Sequence, residues 1–327
     1  MKAWQFLGPD LELQLQDLPI PKPGRGDALI QVKAAGLCHS DTHVLHGGGA
    51  AWMCALPIVL GHEVAGVIIE VGESESHTFR VGDRVAVACT GHPIEERNFQ
   101  EAIGVGRDGG YAEYTIAPIK NLVHLPDSVS FANAAVATDS IATAYHAVVS
   151  EGRVAGSSTV AIVGLGGLGL NGVAIAALRG AKVYGVDINT SKFNQAKGLG
   201  AIECATSLEH FSNVKFDAVI DFAGAQQTIS AAMSTARPGG TIVVVGLASE
   251  TVQFTTTDLV TKNIALRGST SASLDEFREV VLLLESGALK PQIKQIHFDD
   301  VPNGLEMLGS GKVAGRLYVV PSDAVEI

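Results

Sequence analysis

One cysteine, three histidines and an aspartate crowd into GLCHSDTHVLHGG, residues 36–48. Thiolate, imidazole and carboxylate are the side chains that hold zinc, and a catalytic zinc takes three of them while keeping a fourth position open. Cys38 is followed 24 residues later by His62 in LGHEVAG, with Glu63 adjacent. A cysteine and a histidine so far apart are more often a buried thiol and a hydrogen-bonded core histidine, so this pair alone does not carry the metal reading.

A second chemical feature is VAIVGLGGLGL, residues 160–170, which spaces Gly164, Gly166 and Gly169 as GxGxxG. An apolar strand pattern precedes it and a helix-compatible stretch follows. The next strand pattern, KVYGVD, ends on Asp187, 18 residues beyond Gly169. In that context Gly164 permits a tight turn, Gly166 lets a pyrophosphate approach the backbone, and Gly169 lets helix and strand pack closely. The helix N-terminus would face the phosphates. Asp187 would accept hydrogen bonds from ribose hydroxyls and repel a 2′-phosphate, which favours NAD over NADP.

The elements that must position these groups fall into two textures. Up to about residue 125 the chain reads as short strands broken by Gly and Pro, among them DALIQVKAAG, EVAGVIIEVG, GDRVAVAC and GYAEYTIAP. From Ser158 it alternates apolar strands (TVAIVG, KVYGVD, FDAVIDFAG, GTIVVVG) with helical stretches such as SKFNQAKGLG and QTISAAMSTARPGG, the pattern of parallel βαβ units. The fold class expected is α/β, a doubly wound parallel sheet joined to a β-rich domain. Near the end, SLDEFREVVLLLESGAL spaces Phe277, Val280, Val281 and Leu284 on one helical face.

Composition narrows the function. With 327 residues, 46% hydrophobic and 17% charged, the chain can fill two cores. A net charge of -11 without a basic run argues against nucleic acid as a partner. The 20 uncharged positions 159–178 reach membrane length, but their glycines fit a buried strand, a turn and a helix better, so no membrane association is expected. The four cysteines, Cys38, Cys54, Cys89 and Cys204, form no CxxC pair and fit a reducing compartment. No signal-peptide apolar segment is read at the N-terminus, so a cytoplasmic location is expected.

The motifs GLCHSD (36–41), GHEVAGVIIEVG (61–72), VGDRV (81–85), GGYAEY (109–114), GLGGLG (164–169) and GRLYVVP (315–321), in this order, resemble those of the zinc-dependent alcohol dehydrogenases of the medium-chain dehydrogenase/reductase superfamily. The resemblance covers nearly the whole chain. It implies a GroES-like catalytic domain over 1–140, completed by 273–327, and a Rossmann domain over 141–272. It also implies reversible hydride transfer between a primary or secondary alcohol and NAD, and a homo-oligomer, dimer or tetramer.

Residue by residue, the resemblance makes Cys38 and His62 zinc ligands, with Asp139 of ATDSIATAYHAV standing where many members have a cysteine; a helix cap is the alternative role for Asp139. Glu63 matches an acid that can approach the metal, and Asp41 a partner that orients the histidine ligand. Ser40 and His43 match the groups that pass a proton between substrate and solvent. His39 and Arg316 match contacts to the cofactor pyrophosphate, and Gly167 and Lys192 join the cofactor residues. His46 has no family role and reads as a loop histidine. Trp52, Leu56 and the 269–275 segment are expected to shape the substrate pocket.

The sequence departs from the family at ACTGHPIEERNFQEAIGVGRDGGY, residues 88–111, where many members hold a second, structural zinc with four cysteines. Only Cys89 is present, and His92, Glu95 and Glu96 read as a solvated loop. One catalytic zinc per chain and no structural zinc are therefore expected. The alternative function is that of zinc-free relatives, which reduce activated double bonds or quinones and lack the catalytic ligands.

Overall fold

The computed structural model describes residues 1–9, 11–48, 56–73, 78–90, 95–96, 98–313 and 315–321. The chain folds as two compact units, Met1–Asp139 with Ser271–Ile327, and Ser140–Thr270.

The first unit is built around the strand Asp27–Leu37, whose Ala28, Ile30, Val32, Ala35 and Leu37 are buried in one apolar core. This strand is the hub of the larger sheet. It pairs antiparallel with Glu63–Val71, with Tyr114–Pro118 and with Arg316–Val319. Beyond Glu63–Val71 the sheet continues through Arg84–Val87 to Leu122–His124, and beyond Arg316–Val319 it ends at the parallel strand Ile293–Gln295. Register decides what meets at the end of the hub. Gly36 lies opposite Glu63 and Leu37 opposite Leu317, so Glu63 and Arg316 arrive beside Cys38 from two other strands.

A smaller antiparallel sheet, Gln14–Asp17, Lys2–Phe6 and Ile58–Val59, adds Ala3 and Phe6 to the same core. The helix Leu274–Glu285 starts at Ser273, which forms a reciprocal cap with Glu276. Its Phe277, Val280, Val281 and Leu284 are buried, as the spacing predicts.

The second unit holds six parallel strands in the order Ala201–Ala205, Lys182–Val186, Thr159–Val163, Phe216–Asp221, Ala236–Val244 and Ala265–Gly268. The chain therefore starts in the middle of the sheet, builds outward to one side, then returns and builds outward to the other. That order is the doubly wound Rossmann arrangement, whose ligands bind where the winding reverses, beyond the carboxyl ends of the strands.

Residues 159–178 resolve into the strand Thr159–Val163, a glycine turn and the helix Gly167–Leu178. Among the described residues no helix is long and apolar enough to cross a membrane.

One boundary differs from the sequence expectation. ARPGG reads as the end of a helix but opens the strand Ala236–Val244. Pairing jumps from Phe216 opposite Ala236 to Ala218 opposite Thr241, so 237–240 bulge out, with Gly239 at a φ of 74°. A bulge tolerates the Pro238 that a continuous strand interior would reject.

Candidate metal centre and cofactor loop

Cys38 caps the short helix His39–Leu45 at the end of the hub strand. His62 immediately precedes the strand Glu63–Val71, and Asp139 lies in a single π-helical turn, Ala137–Ile141, which interrupts helical chain on both sides. Such turns widen a helix locally and recur where a side chain must be aimed. One ligand atom from each of Cys38, His62, Glu63 and Asp139 lies within 4.8 Å of all the others. The Cys38 thiol donates to Asp139 Oδ2 at 3.4 Å, and His62 Nε2 lies 3.6 Å from the same oxygen.

Those separations test the fit to zinc. Bonds of about 2.0–2.3 Å in tetrahedral geometry place ligand atoms roughly 3.3–3.8 Å apart, and both distances fall in that window. The donor set is right as well, with a sulfur, an imidazole nitrogen and carboxylate oxygens.

Arg316 is the guanidinium of this group. It is 3% exposed, donates through Nε and Nη2 to the Glu63 carboxylate, and reaches Asp139 Oδ2 from Nη2 at 3.2 Å. The resemblance assigns Arg316 to the pyrophosphate, whereas its partners in this unit are the two carboxylates. Gly36 makes room for that pair, because a Cβ there would overlap Glu63 Oε2.

Burial opposes charge throughout the group, and neighbouring charges offset it. Burial would lower the pKa of His62, but Asp41, Cys38 and Asp139 outweigh it and hold the imidazole well above its ordinary range. Burial likewise lifts Asp41, yet His62 beside it, with hydrogen bonds from Tyr111 and the Cys38 N–H, draws the carboxyl below its usual range. Glu63 is pushed up to about 7 by burial, against the pull of Arg316. For Arg316 burial is overcome by Cys38 and Glu63, which raise it well above the usual value. Beside the guanidinium and the imidazole, the buried space thus gathers the carboxylates of Asp41, Glu63 and Asp139 and the Cys38 sulfur, a donor set that suits a dication.

Around the ligands, Asp41 is buried and faces His62 Nδ1 through Oδ1 at 3.4 Å. Ser40 Oγ lies 2.9 Å from Cys38 Sγ and is half-buried. His43, three residues on, is exposed, as is His39. His46 caps the same helix, its Nδ1 lying 2.6 Å from Thr42 O.

Cys89 is buried behind His62, with its thiol directed at His62 O at 3.3 Å, and burial pushes its pKa well up, as suits an inert thiol. Glu95 and Glu96 are exposed; His92, Trp52 and Cys54 lie outside the described residues, and Leu56 is exposed. Two contributors escaped the sequence reading. The Arg316–Glu63 pair spans 253 residues, and Tyr111 of GGYAEY donates its hydroxyl to Asp41. The only local hint of the second was an aromatic residue between a glycine pair and a strand.

In the other unit, Gly164 takes a φ of 85° at the end of the strand Thr159–Val163. A Cβ on Gly169 would overlap Gly164 O, so that glycine is required for the helix to start so close to the strand. Gly166 differs, since no described atom lies within 4 Å of where its Cβ would be. It caps the helix that Gly167 begins, and no side chain caps the first turn. The open position at Gly166 and the N–H groups without a side-chain cap are what an approaching pyrophosphate would require.

Asp187, at the end of the strand Lys182–Val186, accepts from Leu165 N–H at 2.7 Å and Asn189 N–H at 2.8 Å. Lys192 Nζ lies 3.2 Å from the same carboxylate. Asp187 and Lys192 are therefore together at the glycine loop.

Comparison with known proteins agrees with both halves. Residues 24–127 match the alcohol dehydrogenase GroES-like domain and residues 167–286 the zinc-binding dehydrogenase domain. An NAD-dependent alcohol dehydrogenase of Sulfurisphaera tokodaii is 31% identical, over 98% of this chain and 100% of that protein. The structure of acetophenone reductase from Geotrichum candidum in complex with NAD superposes with a TM-score of 0.89 at 32% identity, covering 99% of this chain and 98% of that one. The cobalt- and zinc-bound thermostable alcohol dehydrogenase from Pyrobaculum aerophilum gives a TM-score of 0.87 at 30% identity, covering 98% and 99%.

Proposed function

The chain belongs to the zinc-type alcohol dehydrogenases, and from that premise we propose that it transfers hydride reversibly between a primary or secondary alcohol and NAD, releasing the aldehyde or ketone. The observation that carries this reading is the convergence of Cys38, His62, Glu63 and Asp139 within 4.8 Å, with separations that suit zinc. That convergence also argues against the zinc-free alternative, for which these side chains would have no common task. The names of the relatives, alcohol dehydrogenase and acetophenone reductase, support a reaction at a carbinol or ketone carbon.

Cys38, His62 and Asp139 would hold one zinc per chain, with Glu63 able to approach it, and no structural zinc is assigned. When bound, the metal supplies Lewis acidity toward the substrate oxygen, and NAD supplies the hydride acceptor. Ser40 Oγ, beside Cys38 Sγ, would accept the substrate hydroxyl proton while passing its own on through the cofactor ribose toward His43, which would exchange it with solvent. Asp41 braces His62.

Gly164, Gly166, Gly167 and Gly169 receive the pyrophosphate, and Asp187 with Lys192 receives the adenosine ribose. His39 and Arg316 are the side chains assigned to the phosphates.

Residues 1–140 with 273–327 form the catalytic domain and 141–272 the dinucleotide domain in this reading. A homo-oligomer, dimer or tetramer, working in the cytoplasm completes it.

Metal analysis of active protein, followed by an alcohol and ketone panel run with NAD and NADP, tests the proposal. One zinc per chain and preference for NAD are expected. Two zincs would refute the lone catalytic site, active protein without zinc would refute the metal's role, and preference for NADP would refute the assignment of Asp187.

A further inference from the structure

The roles above leave the hydroxyl of Tyr111 unused. Tyr111 is 0% exposed and is the one fully buried tyrosine of the chain's five. A phenol sealed from water needs an acceptor. Its Oη donates to Asp41 Oδ2 at 2.7 Å and lies 3.3 Å from Gly36 O. The Cys38 N–H donates to that same Oδ2 at 3.1 Å, so the two donors fix one carboxylate oxygen. The other oxygen, Oδ1, faces His62 Nδ1.

The ring of Tyr111 is engaged as well. Gly61, at a φ of 92°, carries the chain into His62, and a Cβ on it would come 2.6 Å from Tyr111 Cδ1. The Tyr111 N–H donates to Leu60 O at 3.0 Å. One residue therefore grips the backbone turn before His62 and the carboxylate behind its imidazole.

We propose that Tyr111 is a positioning residue for the metal ligand His62, acting through Asp41. Its hydroxyl sets the carboxylate, the carboxylate keeps the proton on Nδ1 and turns Nε2 toward Cys38 and Asp139, and the ring holds the turn at Gly61. Phenylalanine would keep the ring's packing and lose only the oxygen. The inference rests on the metal reading of this site.

The test compares zinc-loaded wild-type protein with Tyr111→Phe in competition with a chromophoric chelator. Zinc retention about 10-fold weaker in the variant is expected. A changed visible spectrum of the cobalt-loaded protein should accompany it. Equal retention and an unchanged cobalt spectrum, with thermal stability lowered alike in the metal-free and loaded forms, would mean a structural role only and overturn the proposal.

In an Asp41→Asn background, Tyr111→Phe should weaken retention no further, and additive losses would overturn the route through Asp41. Should Tyr111→Phe not fold, fluorotyrosine-labelled wild-type protein serves. The resonance protected from a paramagnetic solvent reagent must move when the chelator strips the metal, and a stationary resonance overturns the proposal. Wild-type protein that takes up no zinc or cobalt overturns the metal reading itself, and the Tyr111 role with it.

Discussion

The ligand group gathers Cys38, His62 with Glu63, Asp139 and Arg316 from distant stretches of chain and works through side chains. The cofactor loop runs uninterrupted from Gly164 to Gly169 and works through backbone. The first is dense, so that each ionisable side chain touches another. The second is defined by what is missing, because each glycine either closes a turn, admits a helix or leaves room. The two regions should therefore fail in opposite ways, one when atoms are removed and the other when atoms are added.

The largest effect is expected from Cys38→Ala. Zinc content should fall from one per chain to near zero, and turnover on the order of 10³-fold or more, as several kcal/mol of charge stabilisation disappear. NADH binding, followed by nicotinamide fluorescence, should stay as in the parent, and its loss would break the separation of the two regions.

A paired substitution sharpens the other side. Gly169→Ala forces a Cβ onto Gly164 O and should cost about 1–3 kcal/mol in chemical denaturation. Gly166→Ala meets no described atom within 4 Å and has a φ of -82°, so its stability should stay within about 0.5 kcal/mol. It should still weaken NADH binding about 10-fold, or about 1.4 kcal/mol. Equal destabilisation by the two alanines would refute the distinction between a packing glycine and a ligand glycine.

The smallest expected effect is that of Gly36→Ala, which tests a glycine serving a side chain. Its Cβ would displace the Glu63 carboxylate from Arg316, and about 1 kcal/mol should be lost, since the carboxylate end of a side chain yields more easily than backbone. A loss as large as that of Gly169→Ala would show that the Glu63–Arg316 pair is as rigid as the glycine loop.

The same contrast explains what could be read without coordinates. The glycine loop was legible because its spacing, its preceding strand and Asp187 all fall within one βαβ unit, where local pattern dictates local structure. Cys38, His62 and Asp139 were legible only by resemblance, since nothing in their spacing says that a hub strand and a π-helical turn bring them together. The partnership of Arg316 with Glu63 and Asp139 depends on the register between Arg316–Val319 and Asp27–Leu37, and register across such a separation leaves no local trace. Tyr111 escaped for the same reason, as its hydroxyl acts on a residue 70 positions away. The strand beginning at Ala236 was misread because a bulge places Pro and Gly inside a strand, where pattern rules put a boundary.

The position of Arg316 also has a meaning in time. Translation delivers Cys38, His62, Glu63 and Asp139 first, and the guanidinium that neutralises two of them follows 177 residues after Asp139. Until Arg316–Val319 docks against the hub strand, the Glu63 carboxylate lacks the guanidinium that pairs with it in the buried group. Closure of the ligand group therefore waits on the last strand described, and the first unit is complete only when early and late stretches of the chain have met.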